Sequence, residues 1–211
     1  MAFDADFAAS TLATLLVVMD PPLQSALFLG VTHGMGKAER NEVALRASII
    51  AFCILVVAGL VGARLLGALG ITVAAFRIAG GLLLFTSAFD MIFDRRSAKD
   101  NETVHKAIDE DHIRNVAAFP LAIPLMAGPG AITAMILLSG RAGDDIMKLG
   151  TLFVITLAVV VSCLMAFYAA DWISKTLGVT GRAVLTRVLG LVLAALAVQF
   201  VIDGMKSVWI G

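Results

Sequence analysis

The sequence predicts an all-α integral membrane protein. Six transmembrane helices form two inverted sets of three, and the first helix of each set is discontinuous near the bilayer midplane. Three observations lead there. Apolar stretches of spanning length fill most of the chain, an offset of 110 residues relates its two halves, and proline and glycine interrupt the first apolar stretch of each half.

Of the 211 residues, 60% are hydrophobic and 15% charged, and the mean hydropathy is +0.95. Soluble domains carry about 25% charged residues, so this chain lacks the polar surface that water demands. A spanning helix needs about 20 apolar residues. Stretches of that length leave no room for a separate soluble domain, and residues 1–211 read as a single transmembrane domain whose surroundings are a lipid bilayer. The net charge is zero and no basic arm appears, which disfavours a nucleic-acid partner. Cys53 and Cys163 lie inside apolar runs and the three histidines are scattered, so no disulfide framework, metal site or cofactor is expected. The N-terminal MAFDADFAAS has two acidic residues and no basic one, unlike the positive start of a cleavable signal peptide.

In chain order, the first span covers residues 8–31 and contains TLLVVMDPPLQSALFLG. The second, 47–66, carries Gly59 and Gly62 as close-packing positions, and the third, 71–93, carries Arg77, Gly80 and Gly81. The polar stretch 94–115, DRRSAKDNETVHKAIDEDHIRN, then separates a first repeat at about 8–93 from a second at about 116–205. Its mixed charges read as a solvated linker. The fourth span, 116–139, contains FPLAIPLMAGPGAITAMI. The fifth covers 149–173, and the sixth, 183–205, holds Arg187, Gly190 and Gln199, the last a candidate polar link between helices.

Basic residues near helix ends are retained on the cytoplasmic side. Lys37, Arg40, Arg46, Arg95, Arg96, Lys99, Lys106, Arg114, Lys175 and Arg182 follow spans one, three and five, against Arg64, Arg141, Lys148 and Lys206 on the opposite side. Both termini are therefore expected outside, and the linker in the cytoplasm.

Arg77-Ile-Ala-Gly80 and Arg187-Val-Leu-Gly190 stand 110 residues apart, as do Cys53 and Cys163. A unit of three spans ends on the opposite side from its start, so a second copy is inverted, as in many secondary transporters. In the first span Asp20, Pro21 and Pro22 fall in mid-stretch; in the fourth, Gly128, Pro129 and Gly130 do so. Proline lacks an N–H and clashes with the preceding turn, and glycine eases departure from the helix. Unwound backbone at that depth survives only when buried in protein or lining a wet cavity. A half-helix starting after the interruption points N–H groups and a positive dipole end at that place, suiting a carboxylate, and the carbonyls ending the preceding half suit an ammonium. The expected substrate site joins Asp20, Pro21, Pro22, Leu23, Gln24 and Ser25 to Gly128, Pro129, Gly130, Ala131, Ile132 and Thr133. The alternative is that these prolines only kink two packed helices.

The strings DPPLQSALFLG, KAERN, FRIAGGLLLF, FPLAIPLMAGPGAI, TRVLG and VQFVIDG run along almost the whole chain and resemble, in order, the MarC/SnatA family of six-span inner-membrane proteins of bacteria and archaea. The resemblance implies a transporter of small neutral amino acids such as glycine and alanine, coupled to protons. It also implies that Asp20-Pro21 stands where the family has Asn-Pro, and that Pro22 is an additional proline. An Asp handles a proton or an ammonium as Asn does not.

Ionisable groups inside spans are functional candidates because they cost several kcal/mol unless paired. Asp20 is the leading one, for amine or proton handling. Arg77 and Arg187 are coupling or gating candidates beside a structural reading as snorkelling side chains. Asp90, Asp171 and Asp203 read as interfacial, and His33, His105 and His112 fall in or beside cytoplasmic loops. No Ser/His/Asp or His/Glu cluster supports an enzyme. A secondary transporter working by alternating access is the preferred reading, with an exporter of another small solute or drug, or a channel, as alternatives. A homo-oligomer is compatible with all of these.

Overall fold

The computed structural model describes residues 4–32, 35–93, 117–143 and 145–209. Every regular element among them is helical: α1 (Ala5–Met19), α2 (Pro21–Val31), α3 (Lys37–Ala68), α4 (Val73–Ile92), α5 (Ala117–Met126), α6 (Pro129–Ala142), α7 (Ile146–Tyr168) and α8 (Ala170–Trp209). The 94–115 linker, His33, His105 and His112 lie outside the described residues.

The helix starts follow capping chemistry. Asp4, Thr72 and Asp145 accept from backbone N–H groups of Phe7, Ala75 and Met147. The Gly36 N–H donates to Glu39 Oε2 at 3.0 Å, so α3 begins ten residues before the predicted second span. Its extra turns, KAERNEVALR, are good helix formers and carry a Glu42–Arg46 pair one turn apart. A count of uncharged residues misses such an extension.

Two further boundaries differ from expectation. The loop predicted after residue 173 is helical, because α8 starts at Ala170 and is interrupted only at Gly178, whose φ of 60° suits glycine. Over the predicted fourth span, α5 winds wider than an α-helix. Pro120 and Pro124 remove two N–H groups within five residues, and the segment's last bond runs five residues back, from Ala127 N–H to Ala122 O at 2.8 Å.

Among the described residues, five stretches are long and apolar enough to cross a bilayer: Ala5–Val31, taken across the α1–α2 junction, Lys37–Ala68, Val73–Ile92, Ile146–Tyr168 and Ala183–Val208. Neither α5, with 10 residues, nor α6, with 14, crosses alone. Of the most apolar 18 residues of the first stretch 67% are buried, against 28% for each of the others, so α1–α2 is a central element, packed against α6, α7 and α8. Large apolar side chains such as Val57, Leu65, Val154 and Leu191 stand exposed on the outer faces. Water would penalise such a surface and a bilayer accepts it.

Glycines let the surrounding helices close up. α4 and α8 run antiparallel: Gly204 meets Ala74 and Ile78, Gly81 meets Ala197 and Val201, and Gly190 meets Ala88, Met91 and Ile92. Gly80, on the opposite face of α4, meets Thr133 and Leu137 of α6, and Gly62 of α3 meets Ile136. Ser139 Oγ donates to Gly59 O, tying α6 to α3.

A methyl at Gly81 would fall 2.7 Å from the Ala197 carbonyl oxygen and 3.1 Å from the Val201 nitrogen, both backbone atoms, whereas nothing lies within 4 Å of one at Gly67. Gly81→Ala should therefore destabilise the bundle by about 1–3 kcal/mol and Gly67→Ala should not. Thermal unfolding of both variants in detergent checks this, and equal unfolding temperatures would contradict the packing described.

Candidate functional site

The helix ends at the centre of the bundle are set by local chemistry. Asp20 closes α1, its N–H donating to Leu16 O at 3.0 Å, and there turns left-handed, φ 45° and ψ 69°, a conformation Asp tolerates better than most residues. It also caps α2. Pro21 and Pro22 occupy the first turn, where a missing N–H is harmless, Leu23 N–H donates to Asp20 Oδ1 at 3.3 Å, and Gln24 N–H donates to Asp20 O at 3.0 Å. The other carboxylate oxygen, Oδ2, accepts from Thr186 Oγ1 of α8 at 3.2 Å. Asp20 is fully buried, and Cys163 of α7 lies within electrostatic reach of it.

The start of α6 is different. Gly128 has no side chain with which to cap, and Pro129 brings no N–H, so the N–H groups of Gly130 and Ala131 face the junction without a side-chain acceptor. A Cβ on Gly130 would lie 3.4 Å from Val18 Cγ1, 3.5 Å from Ser87 Oγ and 3.8 Å from Leu84 Cδ2, which sets this turn against the end of α1 and the middle of α4.

Gln24 ties the two junctions together. Its Nε2 donates to Met19 O, the last carbonyl of α1, at 2.5 Å and to Leu125 O of α5 at 3.2 Å. Both carbonyls have lost their ordinary helical donors. Leu23 N–H, four residues beyond Met19, is taken by Asp20, and α5 ends at Met126, so that neither Pro129, four beyond Leu125, nor Gly130, five beyond, returns a helical bond to it. One amide supplies both missing bonds. Gln24 is 2% exposed, and its Oε1 is buried with no partner among the described residues, an omission costing about 1–3 kcal/mol if nothing fills it.

The predicted site residues thus divide. Asp20, Pro21, Leu23, Gln24, Ser25, Ala131 and Thr133 are buried; Pro22, Gly128, Gly130 and Ile132 are partly so; Pro129 is exposed. Ser25 Oγ bonds back to Pro22 O within its own helix. Arg77 is half-buried near Gly204 of α8, with Nε buried and unbonded, while Arg187 is exposed on the outer face of α8. Cys53 is exposed and Cys163 buried, so this pair at the 110-residue offset does not share surroundings, whereas Gly80 and Gly190 are both buried at helix contacts. Gln199 does not link helices: its Nε2 donates to Asp203 Oδ1, one turn along α8, because its side chain lies on the outer face.

Two contacts that the sequence reading did not single out pin the ends of the central element. At the α1 end Lys148 of α7 pairs with Asp4 at 3.0 Å and lies 5.8 Å over the Phe7 ring. At the α2 end Arg40 of α3 pairs with Asp171 of α8 at 3.4 Å and lies 5.6 Å over Phe28, which stacks on Phe167 of α7 at 4.7 Å.

The Phe7 N–H, and then Lys148, hold the Asp4 carboxyl below its ordinary value. A depressed carboxylate contributes stability above its unfolded value, about pH 3.9, and that contribution disappears as pH falls through the folded value. In detergent, thermal unfolding curves of the native chain and of Asp4→Asn should differ at pH 6 and converge on acidification below pH 4; a constant offset at every pH would contradict the pair.

A family model described as MarC family integral membrane protein matches residues 5–209. A UPF0056 membrane protein of Archaeoglobus fulgidus is 39% identical over 205 residues, covering 95% of this chain and 93% of that one. Another, from Aquifex aeolicus, is 35% identical over 92% of this chain and 90% of its own. The UPF0056 membrane protein YhcE of Escherichia coli K12 is 32% identical over 93% and 91%. No solved structure matches. With lipid-facing helices and a match over nearly its full length, the chain belongs to the MarC family of multi-pass integral membrane proteins.

Proposed function

We propose that this chain is a proton-coupled secondary transporter of small neutral amino acids, glycine and alanine among them. It works by alternating access in a prokaryotic cytoplasmic membrane, with both termini outside. In this reading α5 and α6 together make a sixth span, so that the chain is two inverted sets of three, each opening with an interrupted helix. The observation that carries it is the pair of adjoining junctions, one buried and capped by Asp20, the other partly exposed and uncapped at residues 128–130.

The first half-helix start, at Pro21, has its donors used: two prolines carry none and Asp20 takes that of Leu23. The second, at Pro129, offers Gly130 and Ala131 N–H groups and a positive dipole end. The substrate carboxylate therefore belongs at α6, and the amine on the side of the α1 and α5 carbonyl ends. Val18, Leu84 and Ser87 stand at van der Waals distance around Gly130, walls that suit a small side chain.

Asp20 serves as the coupling proton site. It is a carboxyl shielded from water whose bond to Thr186 joins the first half to the last helix of the second. Protonation alters that bond, and with it the grip of one half on the other. The Asp4–Lys148 and Arg40–Asp171 pairs also join opposite halves, at opposite ends of the central element. Rocking opens them in turn.

Reconstituted in liposomes, the chain should carry labelled glycine and alanine, each competing with the other, and faster under a pH gradient. Asp20→Asn keeps an acceptor for Leu23 and the left-handed turn, so it should leave the fold intact and remove the gradient dependence. Absence of competition, together with an unaltered response of Asp20→Asn, would refute the proposal. An exporter of some other solute would reveal itself by flux that neither amino acid inhibits.

A further inference from the structure

The transport reading leaves open which group recognises the amine. Asp20 is the obvious charge, but its two oxygens already serve Leu23 N–H and Thr186 Oγ1. Gln24 Oε1 is a buried acceptor with no partner among the described residues. Its orientation is settled by its neighbours, because exchanging the amide oxygen and nitrogen would set an oxygen against the Met19 and Leu125 carbonyls at 2.5 and 3.2 Å. Nε2 thus anchors the amide between the two junctions and Oε1 is the end left over. The same Met19 carbonyl that holds Nε2 follows directly on Val18, which the first turn of α6 approaches. The amide thus sits beside the junction at which the uncapped Gly130 and Ala131 donors start α6.

Resting on the amino-acid transport reading, we propose that Gln24 Oε1 accepts a hydrogen bond from the substrate's α-ammonium group and makes the protein specific for α-amino acids over amine-free acids. The acceptor is neutral and directional. It selects for an N–H, not for positive charge alone. Glycine and N-methylglycine satisfy it; trimethylglycine keeps the charge but has no N–H to give, and propionate matches alanine in shape but has no amine.

The test is equilibrium binding of labelled alanine to the full chain in lipid nanodiscs, with these four compounds as competitors, on the native protein and on Gln24→Met, which keeps length and volume. The native protein should prefer alanine to propionate, and glycine to trimethylglycine, by about 10- to 100-fold, the worth of one hydrogen bond to a charged group. In Gln24→Met, assayed by propionate displacement, both ratios should fall toward one; because the substitution also removes the Nε2 anchor, the ratios and not the absolute affinities are the readout, and a loosening that weakened all the competitors alike would leave them unchanged. Should the variant fail to fold, the native series decides alone: trimethylglycine competing as well as glycine overturns the inference. Preserved ratios in a folded Gln24→Met overturn it too, and leave the transport reading standing. A native protein that binds neither alanine nor glycine removes both.

Discussion

The side-chain amide of Gln24 is the contact on which the centre of this molecule depends. The end of α5 at Met126 leaves Leu125 without a helical donor, and the cap at Asp20 diverts the one that Met19 would have had. Two buried carbonyls without donors in a membrane interior are costly. A single N–H₂ group answers both, and in doing so sets the end of α1 against the end of α5. The two junctions consequently lie together, and the Asp20–Thr186 bond adds a third element, α8, to the same place.

The surrounding helices allow this arrangement because they are held by shape. Lipid tails are as apolar as leucine, so burial of apolar surface gives membrane helices little reason to associate. Close contact through glycine does: Gly62, Gly80, Gly81 and Gly204 sit where a methyl would collide with a neighbour, and Gly59 and Gly190 where it would press on one. Charges are kept to the ends of the central element, where Lys148 and Arg40 each combine a carboxylate partner with an aromatic face. The interior holds Asp20, satisfied by its own helix and by α8.

Much of the helical framework was legible because its signals are local. Apolar length marks the helices that face lipid, and Pro21, Pro22 and Pro129 stand where helices begin. The capping role of Asp20 was legible too, since Asp directly before proline is a helix-start signal; reading Asp20 only as a buried charge passed over it. Gln24 was picked out by its neighbourhood, but its bond to Leu125 spans 101 residues of sequence and no local pattern encodes it. Arg40 and Lys148 entered only as votes on topology, because their aromatic and acidic partners come from other helices. The 110-residue offset is carried unevenly: Arg77 and Arg187 match in sequence and differ in burial, whereas Gly80 and Gly190 are both buried at helix contacts.

The central claim is that one of the two junctions is complete in itself and the other awaits a ligand. Amide hydrogen exchange in the reconstituted protein, with and without saturating alanine, measures this residue by residue. The account predicts added protection at Gly130 and Ala131, and none at Leu23, whose N–H Asp20 already holds. Protection at Leu23 alone, or no change at either junction while alanine is bound, would contradict it.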